Sequence, residues 1–326
     1  MILKDLLGRE FRYLRLSITE QCNFRCVYCL PDGYQGAARA SEFISRDEIR
    51  RLAAAFSDFG VEKFRLTGGE PTLRKDFCQI AEDLRKNTNI KTLALSTNGH
   101  DLRRKAKDYR QAGITHLNVS LDDVDPKEFQ NLRGRDLGEE VMDGIDQALH
   151  VGFPWIKVNA VLVKDGGIDR LERFVKWVKE KPISVRFIEL MQTENREEFH
   201  ARNHISSSVI HRWLIENRWI PQIRSRDAGP AVEYTHSASL GKIGIIAPYS
   251  KGFCDSCNRL RVSCRAELQL CLFGSAKLSL RDLLQRDEDK AALQLRVIEA
   301  LKIKKPGHSL HEQDAGSNKS FSAIGG

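Results

Sequence analysis

The sequence predicts an α/β protein: a partial (β/α)6 barrel of the TIM type, open on one side, followed by a smaller α+β lobe. Three observations predict it. Six short apolar runs alternate with amphipathic stretches between residues 13 and 191, the pattern of a parallel sheet with helical crossovers. Six units are two short of a closed eightfold barrel, and an open doubly wound sheet is the competing topology. After about residue 190 the alternation gives way to short β-like runs and further helical segments.

The strand runs are 13–19, 63–67, 92–97, 116–121, 156–163 and 184–190, with helical patterns between them such as 47–59, 76–86 and 169–179. Arg15 and Ser17, Arg65 and Thr67, Ser96 and Asn98, Asn118 and Ser120, and Lys157 and Asn159 each sit two apart, hence on one strand face. Buried parallel strands usually read as unbroken apolar runs, so the same departure on five strands predicts a basic, lined cavity rather than a packed lumen. Beyond the barrel, 204–218 reads as a helix, 231–235, 242–246, 260–264 and 268–272 as strands, and 279–285 and 289–302 as helices. From Lys304 the tail is polar, with no reason to order on its own. The expected division is 1–217 for the barrel and 218–326 for the second lobe, ending in a flexible Gly-Gly tail.

At 326 residues and 41% hydrophobic content the chain can bury a core without disulfide staples. Six of its eight cysteines cluster at metal-type spacings, and neither a signal peptide nor a membrane-length apolar stretch is present, so a reducing cytoplasm is expected and a membrane is not. The formal charge of +8 favours an anionic partner: nucleic acid, an acidic membrane surface or a phosphorylated small molecule.

Cys22, Cys26 and Cys29 follow the first strand run, and Cys254, Cys257 and Cys271 lie near the other end. Each triplet offers three thiolates where a closed tetrahedral site takes four, so each can hold a cubane iron–sulfur cluster with one iron open to a non-protein ligand. The plain alternative is a structural zinc knuckle, which wants a partner pair or histidine close by. Cys78 reads as a buried small hydrophobe on a helix face and Cys264 as an ordinary strand residue. The histidines between 200 and 211 read as polar helix surface without ligand spacing.

Cys22-Asn-Phe-Arg-Cys26-Val-Tyr-Cys29 resembles the signature of the radical S-adenosylmethionine enzymes, and Thr67-Gly-Gly-Glu-Pro71 resembles their glycine-rich segment. There glycines let the backbone approach a ligand, and the carbonyls or Glu70 can meet the methionine ammonium. Cys254-Asp-Ser-Cys257-Asn-Arg259-Leu-Arg261, with Cys271-Leu-Phe-Gly, resembles the auxiliary-cluster motif of the GTP 3′,8-cyclase family, which begins molybdenum cofactor biosynthesis. The resemblance runs from Tyr13-Leu-Arg-Leu-Ser-Ile-Thr19 through Arg186-Phe-Ile-Glu-Leu-Met191 to Gly325-Gly326. Val262-Ser-Cys264-Arg-Ala-Glu-Leu stands where that family commonly has a Thr-Ala-Asp-Gly-Lys turn, which leaves the hairpin geometry open.

The resemblance implies two [4Fe-4S] clusters, one on Cys22, Cys26 and Cys29 and one on Cys254, Cys257 and Cys271, with the open iron of the second meeting the guanine. It implies S-adenosylmethionine contacts at Tyr28, Gly69, Ser120 and Met191, and GTP contacts at Arg15, Arg65, Ser96, Lys157, Arg259 and Arg261. Gly325 and Gly326, with Arg15, are implied in catalysis. The implied reaction begins with hydrogen abstraction from C3′ of GTP by a 5′-deoxyadenosyl radical and closes the ring onto C8. Implied partners are an electron donor such as flavodoxin or ferredoxin, the downstream cyclic pyranopterin monophosphate synthase and a second copy in a homodimer, with no nucleic acid. The rival readings are another radical enzyme with an auxiliary cluster, such as a peptide-modifying one, and a non-catalytic zinc- or nucleic-acid-binding protein.

Overall fold

The computed structural model describes residues 2–36, 42–194, 196–223, 229–312 and 314–316, with Ser322 and Ile324. The barrel half runs β1 (Tyr13–Ser17), α1 (Arg46–Asp58), β2 (Lys63–Thr67), α2 (Phe77–Asn87), β3 (Thr92–Thr97), α3 (Leu102–Gln111), β4 (His116–Ser120), α4 (Pro126–Arg133), α5 (Gly138–His150), β5 (Trp155–Leu162), α6 (Gly167–Val178) and β6 (Ser184–Glu189). Then come α7 (Glu197–Asn203), α8 (Ser208–Glu216), β7 (Ile220–Pro221), β8 (Val232–Thr235), β9 (Lys242–Ile246), β10 (Arg259–Val262), β11 (Glu267–Gln269), β12 (Lys277–Ser279) and α9 (Lys290–Leu301).

Local chemistry accounts for the helix boundaries. Ser45 and Glu48 form a reciprocal capping box at the start of α1, whose Ile49, Leu52, Ala53 and Phe56 make the buried stripe. Asp125 caps α4 through the N–H groups of Lys127 and Glu128, Pro126 opens it, and Gly134 ends it at φ 65°.

Strands β1 to β6 are parallel and lie in chain order, which is the winding of a barrel and not of a doubly wound sheet. The later segment joins that sheet at both edges: β10 pairs parallel with β1, and β9 pairs parallel with β6. The row β10-β1-β2-β3-β4-β5-β6-β9 therefore has eight parallel strands, two of them supplied without βα units of their own. It does not close, because β9 continues into antiparallel β8 and β7 while β10 continues into antiparallel β11 and β12. One apolar core runs from Phe11 through the barrel to Leu301.

Three local expectations are corrected, and one point left open, the hairpin, is answered. The stretch 204–218 is helical only from Ser208, because His204 and Ser207 turn aside to bind Glu189. The segment 279–285 begins as β12 and continues as a short 3-10 turn at Arg281–Leu284. The hairpin after Cys257 does form, Val262 pairing with Leu268, with Ala266 at φ 59° where the family carries glycine. In the tail, Leu310 packs with Phe273 and Ala315, and Ser322 and Ile324 are buried. Among the described residues no helix is long and apolar enough to cross a membrane.

Candidate active site

The loop after β1 carries the first triplet against the end of α4: Arg25 N–H donates to the Arg133 carbonyl (3.1 Å) and Val27 N–H to the Leu132 carbonyl (3.0 Å). The loop after β2 locks it from the other side, with Gly69 N–H on the Thr19 carbonyl (2.9 Å) and Glu70 N–H on the Gln21 carbonyl (2.6 Å). A Cβ on Gly69 would lie 2.2 Å from the Gln21 oxygen, and one on Gly68 2.3 Å from the Thr19 oxygen, so glycine is required by loop packed on loop. Glu70 is not aimed at a ligand. It is fully buried and accepts from Asn98 N (2.6 Å), Thr72 Oγ1 (2.8 Å) and Thr97 Oγ1 (2.9 Å). Burial pushes its carboxyl up to about 7 in spite of these donors.

Cys22, Cys26 and Cys29 line one cavity together with Tyr28, Gly69, Ser120 and Met191, so the residues expected at the cofactor converge. Ser96, expected at GTP, lines this same cavity. Ser322 of the tail lines it too; Gly325 and Gly326 lie outside the described residues.

Cys254, Cys257 and Cys271 line a second cavity with Arg15, Arg259 and Arg261. Ile188 and Met191 belong to both linings, so two triplets more than two hundred residues apart in sequence face each other across one wall. The histidines read as surface hold that wall. His200 Nε2 lies 3.2 Å from the Leu190 carbonyl and 3.0 Å from Tyr249 Oη, and His204 Nε2 lies 2.9 Å from Glu189.

The donor sets fit cubane clusters with an open iron. All eight cysteines are unbridged. His308, which lines the second cavity, has both ring nitrogens engaged, Nε2 with the Pro248 carbonyl (3.0 Å) and Nδ1 with Leu310 N–H (3.3 Å), so it is no fourth ligand. Burial opposes the Cys257 thiolate, but Arg259 and Lys304 prevail and hold its pKa below the ordinary value. Burial and then Glu20 push the Cys264 thiol far above its ordinary pKa, and the residue sits in the turn after β10 rather than in a strand. Cys78 is half-buried rather than buried.

Between the cavities and the opposite end of the strands, the register stacks polar residues around the lumen. Tyr13 pairs with Lys63 and Arg259, Arg15 with Arg65 and Arg261, Asn118 with Ser96 and Lys157, and Asn159 with Ser120 and Arg186. Lys63, Arg65 and Arg15 surround the Tyr13 ring at 4.9, 5.5 and 5.9 Å from its centroid. Burial would raise the Tyr13 phenol, yet Arg65, Arg15 and Lys63 bring it down to about 7. Burial and then Arg186, Lys63 and Arg65 bring Lys157 down to about 7, and burial and Lys157 hold His116 near 3. Arg65 Nε has no hydrogen-bond partner. Glu233 answers this charge through an ion pair with Arg186. Lys157 lies in a third hollow at the N-terminal ends of the strands, beside Lys63, His116 and Arg186.

The residues not anticipated are Tyr13, Lys63, His116 and Arg186 in the lumen, Glu233 beside them, and Arg133 with Asp122 behind the first triplet. Tyr13, Lys63 and His116 continue the two-residue alternation already visible at Arg15, Arg65 and Asn118, and Arg186 joins the same face through its register with Asn159. The last three carry no local signal.

Residues 16–178 match the family model of the radical SAM superfamily, and 183–310 match that of the Molybdenum Cofactor Synthesis C domain. The chain is 49% identical over 324 residues to a GTP 3′,8-cyclase of Haemophilus influenzae (strain PittEE), covering 99% of this chain and 96% of the relative. It is 49% identical over 325 residues to one of Pectobacterium atrosepticum, covering 99% of each. Among solved structures, Streptococcus suis SuiB bound to S-adenosylmethionine superposes with a TM-score of 0.61 at 12% identity, over 87% of this chain and 68% of that one, a likeness of fold.

Proposed function

The chain belongs to the radical S-adenosylmethionine superfamily and, within it, to the GTP 3′,8-cyclase family, and from that premise we propose that it converts GTP to (8S)-3′,8-cyclo-7,8-dihydroguanosine 5′-triphosphate, the first step of molybdenum cofactor biosynthesis. The observation that carries the reading is the shared wall: a triplet suited to a cofactor-binding cluster and a triplet set among arginines line adjacent cavities on either side of Ile188 and Met191. A reduced [4Fe-4S] cluster with bound S-adenosylmethionine supplies a primary carbon radical able to take hydrogen from an unactivated C–H bond.

The chain's own share is to hold, orient and exclude water. Cys22, Cys26 and Cys29 hold the first cluster, and Tyr28, Gly69, Ser120 and Met191 shape the cofactor's berth. Cys254, Cys257 and Cys271 hold a second cluster against which the guanine rests. Arg15, Arg65, Lys157, Arg259 and Arg261 draw the triphosphate into the lumen, and Ser96 serves at the junction. Arg15 and the terminal Gly325 and Gly326 complete the catalytic set. An external one-electron donor of the flavodoxin or ferredoxin kind and a downstream cyclic pyranopterin monophosphate synthase belong to the same reading. So does a barrel of residues 1–217 joined to an auxiliary-cluster lobe of 218–326.

The test is anaerobic turnover of the reconstituted full chain with GTP, S-adenosylmethionine and a chemical reductant, read by mass spectrometry alongside iron and sulfide counts. Two clusters per chain and a product isomeric with GTP, separated from it by chromatography and lacking the aromatic C8–H resonance in proton NMR, support the reading. Cofactor cleavage with GTP recovered intact overturns it.

A further inference from the structure

We propose that Arg133 is a positioning residue that sets the reduction potential of the first cluster through the Cys26 sulfur. This rests on the reading that Cys22, Cys26 and Cys29 hold a [4Fe-4S] cluster. Arg133 is the last residue of α4 and is 5% exposed. Its Nη1 donates to Cys26 Sγ at 3.2 Å, its Nε lies 2.7 Å from Asp122 Oδ2, and its guanidinium carbon lies 5.7 Å from the centroid of the Tyr28 ring. Asp122 is fully buried and also accepts from Tyr28 Oη (2.7 Å) and Val161 N (2.7 Å).

The chemistry follows from that placement. An N–H donated to a ligating sulfur draws electron density from it and favours the more electron-rich, reduced cluster. A cation does this more strongly than a neutral donor, and Asp122 moderates it as the counter-charge. A holding role alone does not account for the pair. The end of α4 already grips the cysteine loop through the Leu132 and Arg133 carbonyls, which a side chain of any kind would permit. A buried Arg–Asp pair is a weak source of stability beside well-packed apolar residues of like size. Because Asp122 also receives the Tyr28 hydroxyl, the network ties the sulfur to the ring that shapes the cofactor's berth.

The experiment is a potentiometric titration of the reconstituted full-length protein, followed by electron paramagnetic resonance with and without S-adenosylmethionine. The wave that responds to the cofactor reports the first cluster, and the other wave is an internal reference. Arg133→Met keeps the length and apolar bulk of the side chain and should lower the reduced-to-oxidised ratio of that wave about tenfold at a given potential, a downward shift of about 59 mV. Asp122→Asn leaves the guanidinium unbalanced and should shift the same wave upward, and it carries the test alone if the methionine variant fails to assemble. Opposite shifts, with the reference wave unmoved, support the proposal. A wild-type potential in an assembled variant overturns it while leaving the cluster reading intact; a wild-type protein with no cofactor-responsive wave overturns both.

Discussion

The pocket of the first triplet and the lumen leading from the second are neighbours with opposite electrostatic designs. Around the first triplet every carboxylate is spoken for: Glu70 by Thr72, Thr97 and Asn98, Asp122 by Arg133, Tyr28 and Val161, and Glu189 by His204 and Ser207. In the lumen Arg15, Lys63, Arg65, Lys157, Arg186, Arg259 and Arg261 gather with Glu233 as their carboxylate counterweight. A cofactor that carries a sulfonium beside an amino-acid zwitterion needs a polar berth of fixed shape without crowded cations. A triphosphate rewards crowded cations, whose mutual repulsion in the ligand-free chain its entry relieves.

The contrast breaks most sharply at Gly69. Gly69→Ala drives a Cβ into the backbone that presents the first triplet, and it should reduce cofactor cleavage more than about hundredfold, as a misplacement of about 1 Å does. GTP binding by calorimetry should stay within about threefold. Equal losses at both sites would mean that the two regions are not separable. Arg65→Met probes the other pole: loss of a charge-assisted contact worth about 1.5–3 kcal/mol should weaken GTP about ten- to hundredfold. Guanosine affinity and GTP-independent cofactor cleavage should hold steady.

The lumen also predicts a pH dependence of GTP binding, carried by Lys157 and Tyr13. A triphosphate raises the pKa of both Lys157 and Tyr13 from about 7, so binding takes up protons and GTP affinity falls as pH rises from 7.5 to 9, by up to about tenfold per unit for each proton taken up. Calorimetry in buffers of different ionisation enthalpy counts those protons, and Lys157→Met should flatten the profile. In the ligand-free protein the sign reverses. Between pH 7 and about 10 the unfolded chain holds protons that native Lys157 and Tyr13 have released, so these two groups add stability as pH rises, while buried Cys264 and Tyr109, whose pKa values are raised, act the other way; the share of Lys157 is read as the difference between the melting profiles of the wild type and Lys157→Met. The smallest effect belongs to the wall between the regions. His204→Ala leaves Glu189 one partner short, and should raise the KM for S-adenosylmethionine about threefold and lower the melting point by about 2–4 °C with kcat unchanged.

Much of this contrast was legible along the chain because strand faces repeat every two residues. Arg15, Arg65 and Asn118 stood out within apolar runs, and carrying the same count to the strand starts leads to Tyr13, Lys63 and His116. The limits of β1 to β6 agree within two residues, as β2 and β3 show, since buried parallel strands leave little room for polar slack, whereas the expected strand 268–272 ends at Gln269. Pairings made over distance were not legible. Nothing near Arg259 says that β10 will lie against β1, and nothing in α4 says that Arg133 will reach Cys26 from 107 residues away. The glycines after β2 stood out for their approach to a ligand, but their close packing on the cysteine loop's own backbone had no signal along the chain.

The pairing of β1 with β10 also bears on how the molecule is made. Tyr13, the first residue of the barrel, finds its outer neighbour in Arg259, so during synthesis one edge of β1 keeps its backbone N–H and C=O groups bare until about 250 more residues have emerged. At about 5–20 residues per second that is a wait of roughly 12–50 s, with the cysteine loop hanging beside the unfinished edge. The nascent chain thus passes through a long stage in which its most oxygen-sensitive ligands and its stickiest strand are exposed together, and the last-made quarter of the protein shelters the first.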